Sequence, residues 1–315
     1  DTAGTGTCIP LSAASLSAEG LWMDTLALSL QKFHISTGSP DERKSLIDGN
    51  LHMDFNAFTP NGGGQLSANI RASLDYSDLL GIAKDFIPED LAKAYPVLPP
   101  NAHFAANGNI DSITIDTLHL FMPTAIDVQA EGYVADAMAD KGMRAHLLWD
   151  ASTMNLGFVR RYLGLSGVNF PRMNLSADTR IQGNTYKADA LLRQGKGSMR
   201  AKASLDLDNM AYMAKLHAND MDIRNFLPQD SIGLLTLSAE LHGHGTDPLS
   251  KATGMEAEVD LKHLEYKEWD VDNARLTALL KRGKATVELH CDNDILMANA
   301  CANAYIDQED SKADF

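Results

Sequence analysis

Arg200-Ala201-Lys202-Ala203-Ser204-Leu205-Asp206-Leu207 decides the fold. Apolar and polar residues alternate with period two, which puts the apolar side chains on one side of an extended strand and the charged ones on the other. Ile126-Asp127-Val128-Gln129-Ala130 and Thr286-Val287-Glu288-Leu289-His290 read the same way. Turn formers recur between such runs: Asp48-Gly49-Asn50, Asn61-Gly62-Gly63-Gly64, Asn107-Gly108-Asn109, Gln194-Gly195-Lys196-Gly197 and Arg282-Gly283-Lys284. Each can supply the positive φ that a tight hairpin needs. The pattern predicts a mainly β fold, an elongated antiparallel meander in which one face is wet. Roughly 18 to 20 strands at ~4.8 Å per rung make about 90 Å of sheet.

Three segments carry helical spacing instead: Asp78 to Pro88, Asn155 to Gly164 and Asp222 to Pro228. Each opens on an Asp or Asn that can cap a helix and closes on an aromatic, an aliphatic and a breaker (Phe86-Ile87-Pro88, Tyr162-Leu163-Gly164, Phe226-Leu227-Pro228). After each, an alternating strand runs to a glycine: Phe104 to Gly108, Leu175 to Gly183, Leu237 to Gly243. The spacing divides the chain into N-terminal strands (1–75), three units of helix plus strands (76–152, 153–220, 221–306) and an acidic end (307–315). A unit with one apolar face cannot bury that face alone, so the units are expected to stack.

Charge narrows the function classes. Against 27 basic residues stand 42 acidic ones, a net charge of −15. This disfavours nucleic acid, whose binding requires clustered Lys and Arg, and broad docking on anionic headgroups. It leaves contact with lipid tails open. No apolar run reaches the ~18 residues that span a bilayer. Hydrophobic residues make up 44%, enough for a folded chain. Of the three cysteines, Cys291 and Cys301 flank a hairpin expected to turn at Asp292-Asn293-Asp294. In that register Cys291 faces Ile295 and Cys301 faces Ala285, so no disulfide joins them.

Chemical motifs are sparse. His242 and His244 share a strand face and can begin a metal site, with Asp247 or His263 as further ligands; a turn with solvated histidines is the plainer reading. His290-Cys291-Asp292 holds a nucleophile, a base and an acid, but strand neighbours point to opposite faces, so the trio forms no triad. Gly4-Thr5-Gly6-Thr7-Cys8 lacks the Gly-Lys-Ser/Thr end of a phosphate loop. Arg160-Arg161 reads as a solvated helix face. An enzyme, a metal and a cofactor are not expected. Alanine and methionine are frequent among the apolar stripes, the methionines being Met138, Met143, Met199, Met210, Met213, Met221, Met255 and Met297. Core packing and contact with flexible ligand chains explain the methionines equally well.

The stretch Ala218 to Gly245, ANDMDIRNFLPQDSIGLLTLSAELHGHG, continues into Val259-Asp260-Leu261-Lys262-His263-Leu264-Glu265-Tyr266. It resembles the periplasmic part of AsmA/TamB-type bacterial envelope proteins, in which an I-x-x-F-L-P helix precedes strands, a Gly-x-Gly turn and an L-x-Y strand. The turn Phe58 to Gly64 leading into Leu66-Ser67-Ala68 is similar too, and the resemblance runs from about Leu16 to Tyr305. It implies a long sheet bent into a U-shaped apolar trough. It also implies a periplasmic piece of a longer protein anchored in the inner membrane, and the movement of phospholipid between the two membranes. On that reading Leu205, Leu237 and Val259 face acyl chains, while Phe86, Tyr162 and Phe226, at the helix ends, plug or gate the trough. A β-barrel protein of the outer membrane is a further expected partner. Two rival expectations are a scaffold that templates outer-membrane protein strands along exposed edges, and a carbohydrate-binding β protein, disfavoured by an aromatic content of only 7%.

Overall fold

The computed structural model describes residues 14–39, 42–75, 78, 100–138, 142–247, 249–293, 297–305 and 312–314. Strands make up 70% of them, and every register given between strands is antiparallel. The chain divides into two compact units, residues 1–138 with 151–166, and residues 139–150 with 167–315.

The first unit is a meander of β1 (Ala14–Met23), β2 (Ala27–Ser39), β3 (Glu42–Asp54), β4 (Leu66–Ser73), β5 (Asn101–Gly108), β6 (Ser112–Met122) and β7 (Ile126–Ala135). Each strand pairs with the next in sequence. The second unit repeats the scheme with β9 (Met173–Gln182), β10 (Thr185–Gln194), β11 (Gly197–Asp206), β12 (Ala211–Asp222), β13 (Ile232–His244), β14 (Gly254–Tyr266), β15 (Trp269–Lys281), β16 (Lys284–Asp292), β17 (Met297–Tyr305) and the short β18 (Lys312–Asp314). In sequence, β8 (Arg144–Thr153) falls between β7 and β9. Its Leu147 carbonyl accepts from the Thr179 hydroxyl of β9 at 3.2 Å, and that hydroxyl accepts from Trp149 Nε1 at 3.0 Å.

Two tight turns fall where positive φ was expected, and others form at Thr124, Met210 and Lys267, which the composition does not mark. Gly195 (φ 59°) joins β10 to β11, and Arg282 with Gly283 (φ 54° and 75°) joins β15 to β16. Two expected turns prove to be strand. Gly49 lies inside β3, where a Cβ would stand 2.5 Å from the Asn69 carbonyl oxygen and 2.9 Å from the Phe33 ring; the glycine is there to admit that ring. Gly243 likewise continues β13, with a Cβ position 2.7 Å from Tyr212 Oη, and the turn begins only at Gly245 (φ 77°).

The helical expectations fare unevenly. Asp78 is the one described residue of the first segment; the rest of that segment lies outside the described residues. The second segment forms α1 (Gly157–Tyr162), where Asn155 Oδ1 accepts from the Gly157 N–H at 3.0 Å and Gly164 (φ 63°) ends it. The third is a correction. Asp222 does cap it, accepting from the Arg224 N–H, but only a 3-10 turn follows, Ile223–Asn225. Pro228 lacks an N–H and forces its predecessor out of the α region, so too few residues remain for a helix. A 3-10 turn that the spacing does not predict spans Phe55–Phe58.

Buried apolar residues are mostly small: Ala27, Ala57, Ala68, Ala106, Ala130, Ala145 and Ala218 lead them. Among the described residues no large side chain is completely buried. A buried polar knot ties β2 to β3 instead. Asp78 Oδ2 accepts from the hydroxyls of Thr37 and Ser45, the latter at 2.7 Å, and Thr37 Oγ1 accepts from the Ser45 N–H at 3.0 Å.

Candidate functional site

Residues directly opposite each other in an antiparallel pair share a face, so the registers extend the alternation from single strands to whole sheets. In the second unit one row runs Tyr186–Leu205–Tyr212–Gly243–Met255–Leu280–Ala285. The next row on the same face is nearly all small: Ala188–Ala203–Ala214–Leu241–Ala257–Ala278–Val287–Ala302. Ala190–Ala201–Leu216–Ala239–Val259–Leu276–Leu289–Ala300 follows. Last comes Leu192–Met199–Ala218–Leu237–Leu261–Ala274–Cys291–Ala298. None of these residues is charged, and the eight strands from β10 to β17 span roughly 34 Å at ~4.8 Å per gap. The alanine row lies between rows with larger members, which makes it the low line of the face.

The first unit has the same two-sidedness. Leu16–Ile35–Ile47–Ala72–Ala102–Leu120–Val128 is one continuous row from β1 to β7. Here the phase survives interruptions. Leu30 faces Leu51 and Phe33 faces Gly49, so one extra residue is absorbed in β2. Ile115 and Leu118 stand to Gly132 and Ala130 in the same way in β6. In the second unit Ala218 faces Leu237 and Met221 faces Leu235, with Asp220 at φ 49° between them. Such bulges take up a residue that would otherwise turn the rest of the strand over.

This face is only half covered. Leu205 is 37% exposed, Leu276 38% and Leu175 39%. Extensive contacts among the described elements are confined to sequence neighbours.

The opposite face carries the charge. Arg200 makes a bidentate pair with Asp189 at 3.0 and 2.7 Å, and Lys202 approaches the same carboxylate at 3.2 Å. These hydrogen bonds, Arg200's first, hold the Asp189 carboxyl down at about 2. Lys215 pairs with Glu240, and Arg275 with Glu258. Histidines take carboxylate partners across strands: His34 with Asp48 at 2.6 Å, His119 with Asp127 at 2.8 Å and His263 with Asp272 at 2.7 Å. The Asp272 hydrogen bond raises the His263 pKa above its usual 6.5.

Leu205, Leu237 and Val259 thus lie on one face, in three different rows. Phe86 falls outside the described residues. Tyr162 ends α1 in the first unit, 36% exposed. Phe226 follows the 3-10 turn of the second unit, its carbonyl accepting from the Asn169 N–H at 2.7 Å; neither aromatic belongs to the strand rows. Methionine forms no stripe. Met199, Met221 and Met255 join the apolar face, but Met213 sits opposite His242 on the charged face; the expected alanine gathers into one row, which the single-strand pattern does not show. The signal of its abundance is in the recurring Ala-x-Ala steps of 188–190, 201–203 and 298–304.

The motifs singled out for chemistry are dispersed. His242 reaches Glu256 at 3.2 Å, while His263 lies opposite Thr236, towards the other end of β13 from His244. His263, Glu265 and Asp270 do gather their ligand atoms within 4.8 Å of one another, but His263 is already bonded to Asp272 and Glu265 accepts from the Leu234 N–H. Cys291 is buried on the apolar face opposite Ala298, and His290 bonds Asn299 on the other face at 2.5 Å. Both Cys291 and Cys301 are free thiols. Their expected register is corrected by three residues: Cys291 faces Ala298 and Cys301 faces Glu288, because the connection runs from Asp292 to Met297. Among the described residues no helix is long and apolar enough to cross a membrane.

Comparison of the chain with protein-family models, with curated proteins and with solved structures finds no match.

Proposed function

We propose that this chain is a periplasmic module of an AsmA/TamB-like envelope protein that holds or conducts phospholipid acyl chains, without enzymatic chemistry. The observation that carries the reading is the uncharged, half-exposed face running from β10 to β17 in the second unit. A continuous apolar surface of that extent calls for an occupant. A flexible hydrocarbon chain suits it, because it needs no directional partner and gains ~0.8 kcal/mol per buried methylene. The low alanine row is the floor on which such a chain lies. On this reading the sheet curls into a U-shaped trough, with Phe86, Tyr162 and Phe226 gating it, and the charged face keeps the protein soluble. A fully exposed β1 also favours a second reading, in which that strand edge templates a strand of an outer-membrane barrel protein.

Photo-crosslinking residues placed at Leu205, Leu237 and Val259 should label phospholipid, whereas those at Lys202 and Glu240 on the other face should not. Equal labelling of both faces would refute the acyl-chain reading. Crosslinks confined to Leu16 and Leu21 and made to a barrel precursor would favour the strand-templating one.

A further inference from the structure

The turns at one end of the first unit form a rim with an unusual surface. Leu26 in the β1–β2 turn is 72% exposed, and Phe58 in the 3-10 turn after β3 is 53% exposed. Trp22, Met23 and Phe55 beside them are also exposed. The two turns are joined directly, the Phe55 N–H donating to the Leu26 carbonyl at 2.8 Å. Ala57 is buried and its carbonyl accepts from the Ile110 N–H, so Phe55 and Phe58 are held on a fixed base. Gly62 and Gly64 allow the loop to close on Asn56, which a Cβ at either would meet at 2.4 or 2.0 Å.

The rim's carboxylates are turned to its own backbone. Asp24 Oδ1 accepts from the N–H groups of Leu26 and Ala27 at 2.7 and 2.9 Å. Asp54 accepts from the Gln65 N–H, and Asp111 from the Asn61 N–H, each at 2.8 Å. No Lys or Arg occurs in residues 20–27, 54–65 or 108–112. The rim also abuts the last row of the apolar face, Met23–Leu28–Met53–Leu66.

We infer that this rim, formed by Trp22, Leu26, Phe55 and Phe58, inserts into the interfacial layer of a lipid bilayer. Tryptophan at a strand end and phenylalanine on a fixed turn suit that layer, where an apolar ring body is buried beside wet headgroups. The charges within those stretches, Asp24, Asp54 and Asp111, are all acidic and already accept from the rim's own backbone N–H groups, so the contact surface left to a partner is the apolar rings and Leu26. The absence of cations makes the attachment hydrophobic, so it should favour zwitterionic over anionic lipid. Continuity with the last row gives an acyl chain a path from bilayer to sheet. The inference extends the acyl-chain reading, but its own support is the rim.

The test is co-flotation of the whole chain with phosphatidylcholine vesicles, in low and in high salt. The unaltered chain should float with the vesicles equally in both. The double substitution Leu26→Asp with Phe58→Asp should reduce the bound fraction about tenfold or more, with far-UV circular dichroism unchanged. Failure of the unaltered chain to float, flotation abolished by salt, or flotation indifferent to the substitutions would each overturn the inference. Lipid crosslinking at Leu205 in the same double variant, using a detergent-delivered probe, separates the two readings. Its absence, with the unaltered chain floating and the double variant not, would refute acyl-chain holding and uphold the rim.

Discussion

Ala257→Leu tests whether the alanine row is an open floor. Ala257 sits mid-strand in β14, between Leu241 and Ala278 in its row and half-buried. Leucine adds three carbons there, projecting over the low line of the face. If an acyl chain lies along the row, about three of its methylenes lose their seat. At ~0.8 kcal/mol each this is about 2.4 kcal/mol, or roughly fifty-fold in Kd. The protein itself should not suffer, because an added side chain on an open face meets solvent rather than packed neighbours. Displacement of a fluorescent fatty acid measures the affinity, and the urea midpoint measures the stability. Thr277→Leu, on the charged face of the adjacent strand, should leave the affinity unchanged. A fall in stability of about 1–3 kcal/mol would mean that Ala257 is packed beneath a cover, as overfilled cores behave, and would refute the open floor. Unchanged affinity with unchanged stability would refute the acyl chain's place on it.

Two further outcomes are expected. Asp78→Ala should cost about 2–4 kcal/mol in urea unfolding, because it strands the buried Thr37 and Ser45 hydroxyls; a loss under about 1 kcal/mol would deny the knot its role. Stability should also depend on pH with opposite signs at two groups. The raised His263 pKa contributes stability below 6.5 that is lost as pH rises through its folded value, so His263→Gln should flatten that limb. Asp189, lowered from 3.8 to about 2, contributes above 3.8 and loses its part as pH falls towards 2. Asp189→Asn should flatten the acid limb, and urea midpoints measured across pH check both.

Much of the fold was legible because period-two alternation is a local signal. Arg200 to Leu207 needed no distant partner to declare its faces. What escaped depends on neighbours. Asp48-Gly49-Asn50 has the composition of a turn, and only the Phe33 ring on the adjacent strand explains a glycine inside β3. The bulges at Asp220 and between Ile115 and Leu118 break the alternation on paper yet preserve it across the sheet. A register is fixed by pairing, so the Cys291–Cys301 hairpin was misjudged by the length of its loop alone. Of the candidate site, the face of Leu205, Leu237 and Val259 was readable from parity. The abundance of alanine on the stripes was readable too, but its gathering into one row was not, since a row exists only once the registers are aligned.

Because each strand in a run bonds to its immediate successor, neither run needs a long-range closure among its described residues. A hairpin could be spliced in or removed and its neighbours would still find the same edges, provided the parity of the faces was kept. Growth of this kind is additive, as in other linear arrays, and the reach of the apolar surface becomes a matter of how many hairpins a gene encodes. Unravelling should be additive as well: amide exchange is expected to proceed inward from terminal strands such as β1, leaving the central strands protected longest.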